Sequence, residues 1–342
     1  MNAGIINATS YFGIELVRLL ANHPELNVTS VTGRSQAGKE LGEVFPHLRA
    51  TDPAAAGLVL TPELEGSLDI VFSCLPHAVS APALLPFIEA GVPVVDVSAD
   101  FRLNDAAEFE RWYEVQHPAP VLLGKAVYGL TEIHREAIRK ATIVGNPGCY
   151  PTAAILALAP AIRAGIIEPD VIVDAKSGVS GSGRSLKLDN HYSEVNESVH
   201  AYSVGGHRHG AEMTQELSLL AGGPVAVNFV PHLVPMTRGI LATCYATLSR
   251  SVDGDEIASI YRDFCEEEPF LFFTDTPPRT KWVAGSNHCA IYATVDQTGW
   301  RLMAFAVIDN LVKGAAGQAV QNANVMLGLD ETAGLKAAPL FP

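Results

Sequence analysis

Within the first hundred residues, short apolar runs alternate with helical patterns, and the first run feeds directly into a turn and a helix. Ala3-Gly-Ile-Ile reads as a strand, Gly13 to Ala21 as a helix and Val28 to Thr32 as a second strand, with later strands at Asp69 to Cys74 and Val92 to Val97. Between the last two, Pro82 to Ala90 reads as a helix that Gly91 stops. Strands separated by helices must run parallel, because each crossover returns the chain to the same end of the sheet. This pattern predicts a doubly wound parallel α/β sheet.

Beyond residue 149 the texture changes. Val171 to Ala175 and Gly239 to Leu248 alternate as half-buried strands of a mixed sheet do, so a second, α+β domain is expected to start near Pro151. At 342 residues the chain exceeds one ordinary core, which agrees with two domains. Leu311 to Gly328 has helical spacing despite its glycines, which suggest close packing. Hydrophobic residues make up 48% and charged residues 18%, as in a globular enzyme. No apolar stretch reads as a membrane span and the start lacks the features of a secretory signal, so a cytoplasmic protein is expected. The five cysteines show no CxxC pair, which argues against a disulfide framework or a zinc ribbon. A net charge of -14 excludes nonspecific nucleic-acid binding, so an anionic ligand must be met locally. Arg34, Arg102, Arg184 and Arg238 stand beside turns where that is feasible.

The first strand runs through Asn7-Ala8-Thr9-Ser10-Tyr11-Phe12 to Gly13, where the first helix begins. N–H groups at such a turn bind a dinucleotide pyrophosphate. Asn7 and Ser10 depart from an all-glycine pattern, but asparagine tolerates left-handed geometry and serine is small and hydrogen-bonding. At the end of the second strand stands Thr32-Gly33-Arg34-Ser35, where an NAD enzyme places an acidic residue. Arginine and serine suit a 2′-phosphate, which predicts NADP(H).

Val144-Gly-Asn146-Pro-Gly-Cys149-Tyr-Pro-Thr152 sets one cysteine between a strand end and an apolar helical run, with the helix expected to start at Pro151-Thr152. A thiol facing a helix N-terminus is favoured as thiolate, the nucleophilic form. The other four, Cys74, Cys244, Cys265 and Cys289, sit in apolar surroundings. His207 and His209 alternate around Arg208, a pattern that by itself fits a strand with one inward histidine, a pair of metal ligands or an acid-base group. Ser177 to Gly183 is donor-rich, but Gly178-Val-Ser180-Gly-Ser182 lacks the last glycine of a hydrolase elbow and follows no clear strand-to-helix pattern.

These segments together resemble the N-acetyl-γ-glutamyl-phosphate reductases, a family that belongs with the aspartate-semialdehyde dehydrogenases. The resemblance covers nearly the whole chain, from Gly4 through Ser98-Ala-Asp-Phe-Arg102, the Cys149 segment, Ser177 to Gly183, His207-Arg-His209 and Pro231 to Gly239, to Asp309 to Gln318. It implies a Rossmann-type NADP-binding domain, 1–148 plus 311–342, and a catalytic and oligomerisation domain, 149–310. It further implies reduction of an acyl phosphate through a Cys149 thioester, with His209 as acid-base, no metal, and a homo-oligomeric state, dimer or tetramer. By the same resemblance Arg102 meets the substrate phosphate, and Asn146, Arg208 and Arg238 the rest of the substrate. Thr9, Ser10, Tyr11, Phe12, Gly33, Arg34, Ser35, Cys74, Pro76, Ser180, Gly181 and Asn310 are expected around the cofactor.

Overall fold

The computed structural model describes residues 1–341. It divides into two compact units, Met1–Pro147 with Ala315–Lys336, and Gly148–Gly314 with the residues from Ala337 onward. The chain therefore leaves the first unit after Pro147 and returns at Ala315. The end of the chain departs from expectation. Leu340 N donates to Ala284 O at 2.8 Å, which ties the last residues to the second unit and not to the cofactor domain.

The first unit holds seven strands: β1 (Asn2–Ile6), β2 (Asn27–Thr32), β3 (Leu60–Thr61), β4 (Ile70–Ser73), β5 (Val94–Asp96), β6 (Ala126–Tyr128) and β7 (Ile143–Gly145). They form one sheet in the order β3-β2-β1-β4-β5-β7-β6, and every neighbouring pair is parallel. Burial on both faces explains the uninterrupted apolar strands: Ile70, Val71 and Phe72 are all fully buried. The strand order reverses between β1 and β4, and the crevice beyond those two strand ends is where ligands bind in such sheets. The helix Gly317–Leu327 closes this unit through buried amides as well as apolar contacts. Gln318 Nε2 donates to Gly129 O at 3.0 Å, and Asn322 Nδ2 to the same carbonyl at 2.8 Å. The single helix expected from Leu311 opens instead with a π-helical turn, Val312–Ala316.

Seven more strands make the second sheet: β8 (Ile167–Ser177), β9 (His200–Ala201), β10 (Ala226–Leu233), β11 (Ile240–Leu248), β12 (Leu271–Phe273), β13 (Cys289–Val295) and β14 (Arg301–Ile308). Their order is β12-β13-β14-β11-β8-β10-β9, with parallel and antiparallel pairs mixed. The helix Cys149–Arg163 packs on this sheet and is buried all round from Tyr150 to Ala161. A helix without a polar face is one that other elements enclose. The glycine-rich segment after β8 forms a 3₁₀ turn, Val179–Ser182, a strand-to-helix step that the sequence did not show.

No helix among the described residues is long and apolar enough to cross a membrane.

Candidate active site

The helix that follows the Asn146-Pro147-Gly148 turn begins at Cys149 itself, two residues earlier than expected. Pro151 misled the reading. A proline in the first turn is tolerated because its missing N–H would have no intrahelical partner there, so it need not mark the first residue. Cys149 is thus the first helical residue, half-buried, at the end where the macrodipole is positive. Gly148 is the N-cap, and no side chain caps this helix. The Gly148 N–H donates to Glu212 Oε2 at 2.9 Å.

His209 opens a second helix, His209–Ala221, with Arg208 as its N-cap residue, so His207-Arg-His209 is no strand. The imidazole lies against both chain neighbours of Cys149. A Cβ added to Gly148 would sit 2.6 Å from His209 Nε2, and the Tyr150 and His209 rings are edge to face with centroids 5.9 Å apart. Glycine at 148 is therefore what lets the imidazole approach. Glu212, fully buried one turn on, has Oε1 3.8 Å from His209 Nε2 and so touches both the histidine and the cap of the cysteine helix. The sequence reading missed it. Its signal was the i, i+3 spacing from His209, visible only once that stretch is taken as a helix.

His207 has a different role. Its Nδ1 accepts the His209 backbone N–H at 3.2 Å, and its pKa is lowered to about 3, first by burial and then by the charges of His209 and Arg208. Neutral and engaged through Nδ1, the His207 ring supports the first N–H of the His209 helix. Tyr202 donates its hydroxyl to that of Tyr150 at 3.1 Å, and Tyr150 donates to His232 O at 3.1 Å. Burial, joined by the Tyr202 charge and then by that of Cys149, pushes Tyr150 up, and burial with the Cys149 charge raises Tyr202 to about 12. Both phenols therefore stay protonated at neutral pH, each with its hydroxyl proton already in a hydrogen bond. Gly314 closes the other side, where a Cβ would lie 2.8 Å from the Cys149 Cβ.

Three expected cofactor residues assemble in this same unit. Asn310, fully buried, accepts the Gly239 N–H at 2.7 Å and donates from Nδ2 to Ser180 Oγ at 2.9 Å, and Gly181 lies alongside. Arg238 pairs with buried Asp309 at 3.6 Å. Asp309 also takes the Gly285 N–H at 2.7 Å and the Leu311 and Val312 N–H groups at 2.8 and 3.1 Å, which starts the π-helical turn. The ion pair anchors Arg238 and leaves its side chain about a third exposed. Arg208 is exposed at a helix N-terminus, where a cation is disfavoured by the dipole, an arrangement that suits an arriving anion.

In the first unit, Asn7 adopts the left-handed conformation with φ of 62°, as its tolerance for that region allows. Its Nδ2 donates to Cys74 O at 2.8 Å, bridging the ends of β1 and β4. Ser10 caps the helix Tyr11–Leu20, its hydroxyl accepting the Gly13 N–H at 3.0 Å. Tyr11 and Phe12 head that helix, where N–H groups lack intrahelical partners, and Thr9 reaches Asn7 Oδ1 at 3.4 Å. Beside this turn opens a cavity of about 930 Å³, lined by Asn7, Thr32, Arg34, Ser35, Pro76 and an apolar wall that includes Phe87. Arg34 and Ser35 are exposed at its rim, just after Gly33. Cys74 does not line it. Its thiol is buried and, by burial first and the Asp96 charge second, pushed far above the ordinary thiol range.

Arg102 and Asn146 are both buried in the first unit. Arg102 Nε donates to Asn146 O and its NH2 to Val97 O, each at 2.7 Å. The Asn146 amide donates to Ala315 O at 3.0 Å and accepts from Asn322 at 3.0 Å. With both ends of its amide engaged inside the fold, Asn146 holds the turn before Cys149.

A cysteine that opens a helix with a histidine beside it, and a doubly wound parallel sheet, are the parts that a dehydrogenase of the semialdehyde class requires. Residues 2–141 match the family model for the semialdehyde dehydrogenase NAD binding domain, and residues 149–310 that for the dimerisation domain. The fold is shared with aspartate semialdehyde dehydrogenase with NADP from Candida albicans (TM-score 0.74, 16% identity, 95% of this chain and 98% of that one). It is also shared with aspartate semialdehyde dehydrogenase II from Vibrio cholerae (TM-score 0.69, 19% identity, 96% and 98%). Proteins named N-acetyl-gamma-glutamyl-phosphate reductase are much nearer in sequence. That of Dehalococcoides mccartyi is 52% identical over 99% of this chain and 98% of its own length, and that of Pelotomaculum thermopropionicum is 48% identical over 100% and 99%. Within the semialdehyde dehydrogenases, the chain belongs to the N-acetyl-gamma-glutamyl-phosphate reductase family.

Proposed function

We propose that this chain carries out the NADPH-dependent reductive dephosphorylation of N-acetyl-γ-glutamyl phosphate to N-acetylglutamate 5-semialdehyde, a step of arginine biosynthesis, through a thioester on Cys149. The observation that carries this reading is the placing of His209 against both neighbours of a cysteine that starts a helix. Cys149 thiolate attacks the acyl carbon, the bond to the phosphate oxygen breaks, and phosphate leaves with that electron pair. NADPH, when bound, supplies the hydride that turns the thioester into a thiohemiacetal. His209 donates a proton to the former carbonyl oxygen and takes it back as the thiolate departs and the aldehyde forms. Glu212 steadies the imidazole, and the linked hydroxyls of Tyr202 and Tyr150 brace the Tyr150 ring that packs against it.

The left-handed Asn7 turn, the Ser10-capped helix and the cavity suit a dinucleotide, with Arg34 and Ser35 toward a 2′-phosphate. Arg102 is assigned to the substrate phosphate, and Arg208 and Arg238 to its carboxylate side. The protein works in the cytoplasm as a homodimer formed on the open face of the second sheet. There Ile172 is exposed, while Leu241, Tyr245, Tyr292, Met303 and Phe305 are only half-buried.

Phosphate-dependent NADP reduction with N-acetylglutamate, aminoadipate-type and aspartate semialdehydes tests cofactor, reaction and substrate together. The N-acetylglutamyl compound should give the highest kcat/KM. Preference for either of the others would replace the substrate, since one methylene alters binding by only about 1 to 3 kcal/mol.

A further inference from the structure

Asp96, at the end of β5, is a fully buried carboxylate that the reaction scheme does not use. Its Oδ1 accepts the Ser80 hydroxyl at 2.6 Å and the Ser98 N–H at 3.0 Å, and its Oδ2 accepts the Ser98 hydroxyl at 2.7 Å. Ser80 spends its one hydroxyl proton on Asp96, so in the 2.6 Å contact between Ser73 and Ser80 it is Ser73 that donates. Ser98 Oγ in turn accepts the Asp100 N–H at 3.1 Å. The Asp100 carboxylate takes the N–H groups of Ala78 and Ala81 at 2.6 and 2.9 Å, where the helix Ser80–Glu89 begins.

This network fixes the five-residue turn that delivers Arg102. Two backbone carbonyls grip the guanidinium at 2.7 Å, those of Val97 and Asn146. Val97 lies between Asp96 and Ser98, the two residues that the carboxylate joins. Asn146 is set by its N–H bond to Asp96 O at 2.8 Å. The Val97 grip therefore depends on the Asp96 carboxylate, and the Asn146 grip on the backbone carbonyl of the same residue.

We infer that Asp96 is a positioning residue for the substrate-phosphate site: its carboxylate holds Ser98, and with it the turn that aims the Arg102 guanidinium. This rests on the assignment of Arg102 to the substrate phosphate. Burial, then the charge of Asp100, raises the Asp96 pKa to about 6, so at neutral pH it is ionised and accepts all three bonds at once.

The test uses the intact enzyme in the phosphate-dependent direction, with inorganic phosphate as the varied substrate and thermal melting as the check on folding. Asp96→Asn keeps an oxygen for Ser80 and for the Ser98 N–H but presents an NH2 where the Ser98 hydroxyl must be accepted. KM for phosphate should rise about 10-fold or more, the scale of one lost charge-assisted bond, while kcat and KM for the semialdehyde move less than about 3-fold. Ser98→Ala should act in the same direction and more weakly, and it decides the matter if Asp96→Asn does not fold. Arg102→Ala separates the two readings. An unchanged KM for phosphate in that variant would remove the Arg102 assignment and this inference with it. A raised KM in Arg102→Ala, with folded Asp96→Asn and Ser98→Ala both within about 2-fold of the parent, would overturn the role of Asp96 alone. So would a parallel rise of both Michaelis constants in Asp96→Asn, which marks a general loss of structure.

Discussion

Two helix starts serve the proposed reaction, one at the cofactor turn and one at the cysteine, and they are built in opposite ways. The helix Tyr11–Leu20 is capped by the Ser10 hydroxyl, which takes the Gly13 N–H. The helix Cys149–Arg163 has glycine at its N-cap and no side-chain cap, and its first residue is the proposed nucleophile. A cap neutralises one of the donors that make a helix end positive, and it makes the turn rigid. For a bound pyrophosphate, rigidity matters and other N–H groups remain. For a thiolate that is part of the helix, a capping oxygen would compete with the sulfur, and the cap side chain would occupy the space that His209 requires. On the proposed mechanism, one terminus receives an anion from outside and the other stabilises an anion of its own.

The sharpest way to break this contrast is to replace the internal anion. Cys149→Ser should cut turnover by more than about 1000-fold while leaving NADPH affinity near that of the parent, because a serine hydroxyl is far less ionised at neutral pH and a weaker nucleophile. Single-turnover kinetics and NADPH fluorescence titration measure the two separately. Retention of most of the rate would eliminate the thioester.

The next largest effect belongs to His209. His209→Asn should lower kcat about 100-fold at neutral pH, whereas His207→Asn, whose side-chain oxygen accepts the same His209 N–H, should change it only a few-fold. The two histidines also part in their pH behaviour. Because His207 titrates near 3 in the fold and near 6.5 when unfolded, the unfolded chain binds a proton between those values that the native state refuses. Stability is thus lost as pH falls from about 6.5 toward 3, and His207→Asn should flatten that loss in urea melts taken across the range. An equally steep loss in the variant would mean that the ring is not held neutral.

Much of this site was legible in the chain, and the residues that were not share a reason. Cys149 stood out because local signals, glycine and proline before an apolar run, report a strand-to-helix turn without tertiary information. Asn7 was readable for the same reason, since its left-handed backbone is a property of the residue itself. The parallel sheet followed from alternation alone. Glu212, Tyr202 and Asp96 were not legible, because each acts on a partner distant in sequence and buried polar contacts of that kind leave no periodicity. Pro151 and the tail beyond Lys336 went astray where a local rule permits two outcomes and packing selects one.

At the first helix, Arg34→Asp should reverse part of the cofactor preference, lowering kcat/KM for NADPH relative to NADH by about 10-fold or more. A carboxylate repels the 2′-phosphate and accepts hydrogen bonds from a free ribose hydroxyl. An unchanged ratio would move phosphate recognition to Ser35.

The smallest effect should come from the cap that separates the two helix starts. Ser10→Ala removes the bond to the Gly13 N–H, which for an N-cap costs about 1 kcal/mol, and in a unit of this size lowers Tm by roughly 2 to 4 °C. The freed N–H then becomes one more donor at a less rigid turn. These two consequences oppose each other in NADPH binding, so Kd should shift by no more than about 3-fold, while the rate of Cys149 alkylation stays at the parent value. Because the cysteine helix has its own start in the other unit, the two readouts are independent. Accelerated or suppressed alkylation in Ser10→Ala would show that the two termini are coupled, and the division of labour between a capped end for the cofactor and an uncapped end for the nucleophile would then have to be abandoned.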